Sequence, residues 1–295
     1  MIFINNKYLD TASIPNSLTT ANNQAKLVSL LAKYNANSNI VDADIPNYKS
    51  VEILNRLKAY SIGKFQLDNG DQPKCYYCES ISGHVAPFQV EHFRPKKSVN
   101  IKDTNGQVHR GYPWLSIDWH NLLLSCPACN STGAKGTRFP ISGVRAITEQ
   151  CDLTLEQHML INPETEDPAA HVTFNDLGQM RGRGNGNACK GNVSIEIYTL
   201  NRDALVVNRL KIWKDFSTEI CEAVYASEKK FLGFLQVGNL FKMLIKRIIK
   251  TKGNEQQYAL WGRYINENIE QLVGSLNIKK KYKSKFLRLY KRHAQ

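Results

Sequence analysis

Four cysteines stand in two Cys-x-x-Cys pairs, Cys75 with Cys78 and Cys126 with Cys129. Two intervening residues let both sulfurs of a pair reach one ion from a tight turn, and four thiolates are what a closed structural zinc site takes. Forty-seven residues separate Cys78 from Cys126, so a metal here would close a loop that carries something else. That loop holds Glu91-His92 and Asn121, and Asn130 directly follows the last cysteine. A neutral imidazole can take a proton from water near neutral pH. The Glu91 carboxylate and the Asn130 carboxamide offer the oxygen ligands that a hard divalent ion such as Mg²⁺ or Mn²⁺ prefers. Activated water, a Lewis acid and fixed geometry are what phosphodiester hydrolysis requires. The plain alternatives are four unrelated buried thiols and a surface Glu-His pair, and the order of the residues between two knuckles weighs against both. Cys151, Cys189 and Cys221 have no partner at ligand spacing and read as small apolar residues.

The backbone has to hold these groups. Val85–Phe93 has strand character, and Pro95 stops it from continuing as a central strand. Neighbours on a regular strand face opposite ways, so Glu91 and His92 reach one site only at a strand end or a bulge. Lys96–Gly111 is polar with a hairpin-turn signal at Asn105-Gly106. Tyr112–Trp119 is the expected return strand, and a helix should start near Cys129–Asn130, kept short by Gly133 and Gly136. Upstream, residues 1–18 read as an irregular lead with a short strand at Ile2–Ile4. A helix follows from Thr19, capped by Thr19 or Thr20, with Ala25, Leu27, Val28, Leu30, Leu31 and Tyr34 at helical spacing. A second helix at Asn47–Ser61 should bury Val51, Ile53, Leu54 and Leu57, and Lys64–Lys74 is a loop.

Downstream, His171–Asn175 and Gln179–Arg183 form a hairpin, Gly182–Gly191 a glycine-rich loop, and Val193–Ile197 fits either a strand or a helix. Helices are expected over 202–230, 231–251, 255–273 and 281–292, broken at Gly253 and Gly274. The fold class is α+β. It comprises a helical lead (1–73), a zinc-stapled module (74–150), a connector with hairpin and loop (151–200) and a helical C-terminal region (201–295).

The 295 residues are 42% hydrophobic, enough for a core in one to three domains. Lys and Arg number 39 against 26 Asp and Glu, a formal charge of +13, which favours polyanions, nucleic acid first and anionic membrane second. No secretory signal opens the sequence and no run of about 18 apolar residues occurs, so no membrane partner is expected. Seven cysteines, four in metal-type pairs, suit the reducing cytoplasm.

Cys75-x-x-Cys78, Glu91-His92-Phe93-Arg94-Pro95-Lys96, Trp119-His120-Asn121-Leu122, Cys126-x-x-Cys129-Asn130 and Lys135-Gly136 together resemble an HNH endonuclease. The resemblance implies a ββα-metal fold with His92 as general base and Glu91 and Asn130 as ligands of a catalytic Mg²⁺ or Mn²⁺. Asn121 would fix the loop carrying His92, and the cysteines would hold structural Zn²⁺. Asn130 stands where many relatives have His, and Glu91 where Asp is common. Cys78-Glu79, His92-Phe93-Arg94-Pro95-Lys96, Asn121-Leu122-Leu123-Leu124-Ser125-Cys126 and Thr199-Leu200-Asn201-Arg202 with Leu205 and Arg209 are similar to the HNH nucleases of Septu-type anti-phage systems, some linked to retrons. That likeness covers roughly residues 74–215 and implies an ATPase partner protein.

Arg94, Lys96, Lys97, Lys135 and Arg138 lie near these motifs and are candidates for phosphate contacts, the bland alternative being solubilising charge. Residues 279–292 hold Lys279, Lys280, Lys281, Lys283, Lys285, Arg288, Lys291 and Arg292, interleaved with Tyr282, Phe286, Leu287, Leu289 and Tyr290. This basic amphipathic helix could track a phosphate backbone, dock on an acidic partner, or simply be solvated. Three functions compete: DNA cleavage, RNA or tRNA cleavage by the same chemistry, and a zinc-stabilised binding scaffold with an inert Glu-His pair. Nothing in the motif reads a 2′-OH.

Overall fold

The run Leu122-Leu123-Leu124-Ser125 is buried at all four positions, as a strand covered on both faces must be. In the computed structural model, which describes residues 1–10, 14–83, 86–100, 108–184, 186 and 189–294, this run is strand β2 (Leu122–Ser125). It pairs antiparallel with β1 (Gln89–His92), His92 opposite Leu122 and Gln89 opposite Ser125. The return strand is therefore not Tyr112–Trp119. That stretch forms two 3₁₀ turns, Pro113–Leu115 and Trp119–Asn121. Pro113 sets a turn φ and has no N–H for a ladder. Asp118 caps the second turn by accepting from His120 N at 2.8 Å. The Asn105-Gly106 turn and the start of the expected strand at Val85 lie outside the described residues. Pro127 opens the one-turn helix α4 (Pro127–Asn130), and Gly136, at φ +46°, takes a left-handed conformation in the turns that follow.

Two units make up the chain: unit 1 is Met1–Val172 with Gly182–Leu200, and unit 2 is Thr173–Arg181 with Asn201–Gln295. In unit 1 the expected strand at Ile2–Ile4 is absent. Ile2 N donates to Tyr76 O (3.0 Å) and Ile4 N to Pro163 O (2.8 Å), two unrelated segments that cannot form one ladder. Helix α1 (Asn5–Leu9) follows. Helix α2 (Ala21–Asn35) is capped by Thr20 and leaves Ala25 and Val28 exposed, burying Asn23 and Leu30. Helix α3 (Val51–Tyr60) is capped by Ser50 and buries Ile53, Leu57, Ala59 and Tyr60. Val51, in its first turn, stays exposed. Two short helices, α5 (Pro168–His171) and α6 (Lys190–Ile197), complete the unit, so Val193–Ile197 is helical.

The chain passes from one unit to the other and back along the hairpin β3 (Val172–Phe174) and β4 (Met180–Gly182). Its tip is closed by Asn175 Oδ1, which accepts from Leu177 N and Gln179 N. Unit 2 is otherwise helical: α7 (Asp203–Glu228), α8 (Phe234–Lys250), α9 (Ala259–Glu267), α10 (Ile269–Gly274) and α11 (Lys280–His293). The single helix expected over 255–273 is broken at Asn268, whose Nδ2 donates to Tyr264 O and competes with the helical ladder. Helix α11 packs along α8, with Phe286 against Phe241 (5.2 Å) and Tyr282 against Phe234 (5.8 Å). Its apolar face is thus spent inside unit 2 rather than free for a partner groove. No helix among the described residues is long and apolar enough to cross a membrane.

Candidate metal centre and adjoining cleft

The first knuckle is laid against β2 by the backbone. Tyr76 N donates to Leu124 O at 3.0 Å and the Tyr76 hydroxyl to Leu57 O at 2.7 Å. Glu79, at φ +61°, turns the chain so that its N–H reaches Cys75 O. The second knuckle turns as α4 begins, with Cys129 N donating to Cys126 O. All four sulfurs are buried and lie within 4.8 Å of one another. Cys78 Sγ and Cys126 Sγ are 3.8 Å apart. A disulfide needs about 2.05 Å. A tetrahedron with metal–sulfur bonds of about 2.3 Å has an edge of about 3.8 Å. Burial pushes the Cys75 thiol up and hydrogen bonding with Cys126 raises Cys129, while hydrogen bonds among the sulfurs hold Cys78 and Cys126 down. Four crowded sulfurs cannot all be thiolates without a cation, and a dication such as zinc removes that conflict.

Beside the cluster, a cleft of about 520 Å³ is lined by Glu91, His92, Asn130, Lys96, Tyr48 and Lys49 among others. Adjacent strand residues share it because β1 ends at His92. The His92 ring is buried, edge-on to Tyr48 at 4.4 Å between ring centroids. Its Nε2 lies 2.9 Å from Ser116 O. A carbonyl only accepts, so Nε2 carries the proton and Nδ1 is left basic. Burial first, and Lys96 second, hold His92 well below the usual imidazole range, so the ring is neutral at neutral pH.

Asn121 clamps the chain after His92. Its Oδ1 accepts from Arg94 N at 2.7 Å, and its Nδ2 donates to Arg94 O and Leu115 O, both at 3.0 Å. Phe93 N adds a bond to Asn121 O at 2.9 Å. Asn130 Nδ2 donates to Gln89 Oε1 at 2.8 Å, and its Oδ1 has no protein partner among the described residues.

Glu91 is 5% exposed and ion-paired with Lys135, itself 1% exposed. Lys135 Nζ also donates to His92 O at 2.7 Å. Although the ammonium touches Glu91 Oε1, that oxygen receives no hydrogen bond of acceptable geometry, so the contact is chiefly Coulombic. Burial raises the Glu91 carboxyl against the pull of Lys135, and burial likewise lowers the Lys135 ammonium.

Four of the five residues expected to hold phosphate are committed to partners within the protein. Lys135 neutralises Glu91. Arg94 Nε donates to the fully buried Glu156 at 2.8 Å, and its guanidinium lies over Phe139. Arg138 bonds Ala134 O and Gly133 O through its guanidinium. A charge near a motif in sequence becomes an internal partner when a carboxylate or bare carbonyl is buried beside it. Lys97 pairs with Asp42 at 2.8 Å. Lys96 lines the cleft, its Nζ 4.7 Å from the centroid of the Tyr48 ring, and Lys49 lies 5.1 Å from the same ring. Sequence reasoning missed Tyr48 and Lys49. The only signal for them was an aromatic-basic dipeptide just ahead of a capped helix.

Comparison with known proteins adds a relationship to this geometry. The chain is 37% identical over 172 residues to the Septu protein PtuB of Bacillus mycoides, covering 57% of this chain and 53% of that protein. The chain is PtuB-like. It is also 32% identical over 142 residues to the Septu protein PtuB of Bacillus thuringiensis, 47% of this chain and 41% of that protein. The Septu protein PtuA of Bacillus mycoides matches at 29% over 185 residues, 60% of this chain and 25% of that protein. The chain thus spans about half or less of the length of the curated relatives it matches. No protein-family model and no solved structure matches it.

Proposed function

We propose that this PtuB-like chain is a metal-dependent endonuclease of the HNH type, built on β1, β2 and α4 as a ββα-metal module. It cuts nucleic acid, DNA in preference, as the effector of an anti-phage defence system that includes an ATPase partner. One observation carries the reading. A neutral His92, its Nε2–H directed to Ser116 O, lines one cleft with Glu91 and Asn130.

Cys75, Cys78, Cys126 and Cys129 would hold Zn²⁺ as a structural staple. The Glu91 carboxylate and Asn130 Oδ1 are the oxygens that would suit a hard ion, Mg²⁺ or Mn²⁺, which when bound would stabilise the negative charge developing on the phosphate. His92 Nδ1 takes a proton from water as the water oxygen forms the new bond to phosphorus. The bond from phosphorus to the 3′ oxygen breaks and that oxygen takes a proton from solvent water, giving a 5′-phosphate and a 3′-hydroxyl. Asn121 keeps the imidazole in register by fixing Arg94 on both its N–H and its C=O. Lys49 and Lys96, at the mouth, contact flanking phosphates.

The Lys135–Glu91 pair favours a second reading, a zinc-stabilised nucleic-acid-binding scaffold in which Glu91 is already neutralised and no metal enters. Incubating the purified chain with supercoiled plasmid and with total RNA, with and without added Mg²⁺, separates the two. Mg²⁺-dependent nicking of plasmid supports the endonuclease. Cleavage of RNA alone moves the substrate class. No cleavage of either supports the scaffold.

A further inference from the structure

Nearly all of the chain's net positive charge sits in one unit. Lys and Arg outnumber Asp and Glu by 21 to 9 in unit 2, and by only 18 to 17 in unit 1. Within unit 2 the imbalance concentrates on α8 and α11, which contain no acidic residue. Lys281, Lys285, Arg288 and Arg292 recur at steps of four, three and four, so they form one stripe of α11, about 16 Å long. Lys242, Lys246 and Lys250 repeat at steps of four on α8, a stripe of about 12 Å. The two helices are packed together through Phe241–Phe286 and Phe234–Tyr282. Lys285 joins the rows, for burial first and then the charges of Arg288 and Lys242 lower its pKa.

Some cations of these helices are satisfied. Arg247 pairs with Glu219, Lys291 with Glu270, and Lys285 donates to Phe234 O. Lys242, Lys246, Lys250, Lys281, Arg288 and Arg292 are exposed and have no acidic partner among the described residues. A merely solvated helix intersperses both signs, and a membrane-binding or groove-docking helix presents an apolar anchor. Helix α11 exposes no large apolar side chain, whereas α8 exposes Phe234, Leu235, Leu240 and Met243, so an apolar anchor is excluded on α11 only. Regularly spaced, unpaired cations without acids suit a polyanionic backbone, and protein–DNA interfaces are polar and positively charged.

We propose that α8 and α11 form a two-row cationic rail that binds the phosphate backbone of duplex DNA without reading its sequence. This rests on the nuclease reading for its choice of polyanion, and it adds substrate anchoring by the helical unit to the phosphate contacts of Lys49 and Lys96 at the cleft.

The test is fluorescence anisotropy of the full chain carrying His92→Ala, to silence cleavage, on a labelled random 20-base-pair duplex between 50 and 200 mM salt. The triple variant Lys281→Gln/Arg288→Gln/Arg292→Gln should flatten the slope of log affinity against log salt by about 2.7, at about 0.9 per lost phosphate contact. Its affinity should therefore fall about 40-fold less than the parent's across that fourfold salt range. Lys242→Gln/Lys246→Gln should flatten the slope by about 1.8. With His92 intact, both variants should raise KM and keep kcat. Unchanged circular dichroism controls for folding. An unchanged slope in both variants overturns the rail. So does binding of single-stranded RNA with none to duplex. It also falls if the variants lose only anionic phosphatidylserine vesicles, or only a co-purifying acidic protein, while duplex binding persists. If the parent binds duplex through the rail but the intact chain cleaves nothing, the nuclease reading fails and the rail stands.

Discussion

Lys135 offers the sharpest perturbation of the site. Replacing it with methionine keeps the length of the side chain and removes the charge, leaving Glu91 buried without its counter-ion. Breaking a buried pair by deleting one partner costs roughly 3–5 kcal/mol. The cost should depend on pH. Burial already raises the Glu91 carboxyl, and Lys135 is the largest influence pulling it back. Without Lys135 its folded pKa rises further, and a carboxyl whose folded pKa exceeds its unfolded value favours the native state only when protonated. The penalty is therefore small near the unfolded glutamate value of about 4.3 and grows until the pH exceeds the raised folded value. Urea denaturation at pH 5 and pH 8 measures it, with a larger loss expected at pH 8. The double substitution Glu91→Gln/Lys135→Met should recover much of the loss, because a neutral pair leaves no stranded charge. A loss below about 1 kcal/mol, equal at both pH values, would refute the buried pair.

Two further outcomes follow from the site. The purified chain should carry about one zinc ion by mass spectrometry of metals, and Cys126→Ser should lower both the metal content and the melting temperature, because metal binding here is folding free energy; an active, folded preparation without metal contradicts the cluster. Asn121→Ala removes three hydrogen bonds around Arg94 and Leu115. It should destabilise the chain by roughly 2–4 kcal/mol in thermal or urea melts, through buried groups left unpaired, and a change within about 0.5 kcal/mol would remove Asn121 from the clamp.

The four-cysteine cluster was legible because its signal is local: two sulfurs two residues apart, twice, need only a turn each. Strand β1 was legible for a similar reason, from Pro95, whereas the helix expected to begin near Cys129–Asn130 instead begins at Pro127 and ends at Asn130, because Pro127 suits a first helical position. The partner of β1 was not, because alternation at Tyr112–Trp119 imitates a strand until Pro113 and Asp118 are weighed as turn formers. Buried ion pairs leave no periodic trace. Lys135 read as a candidate phosphate contact, and Lys7, which meets Glu164 and the Trp119 carbonyl in the core, raised no signal at all. Both pairings join segments far apart in sequence. The charge partition needed the unit boundaries, since the net +13 by itself says nothing about where it sits.

The most direct test of the account is plasmid cleavage by His92→Ala, at matched zinc content and matched affinity for duplex DNA. A missing general base typically costs roughly 10²–10⁴ in rate. The account predicts that loss in Mg²⁺-dependent nicking, with melting temperature and duplex binding retained. Nicking at the parent rate would contradict it and leave the zinc-stabilised scaffold as the reading of this fold.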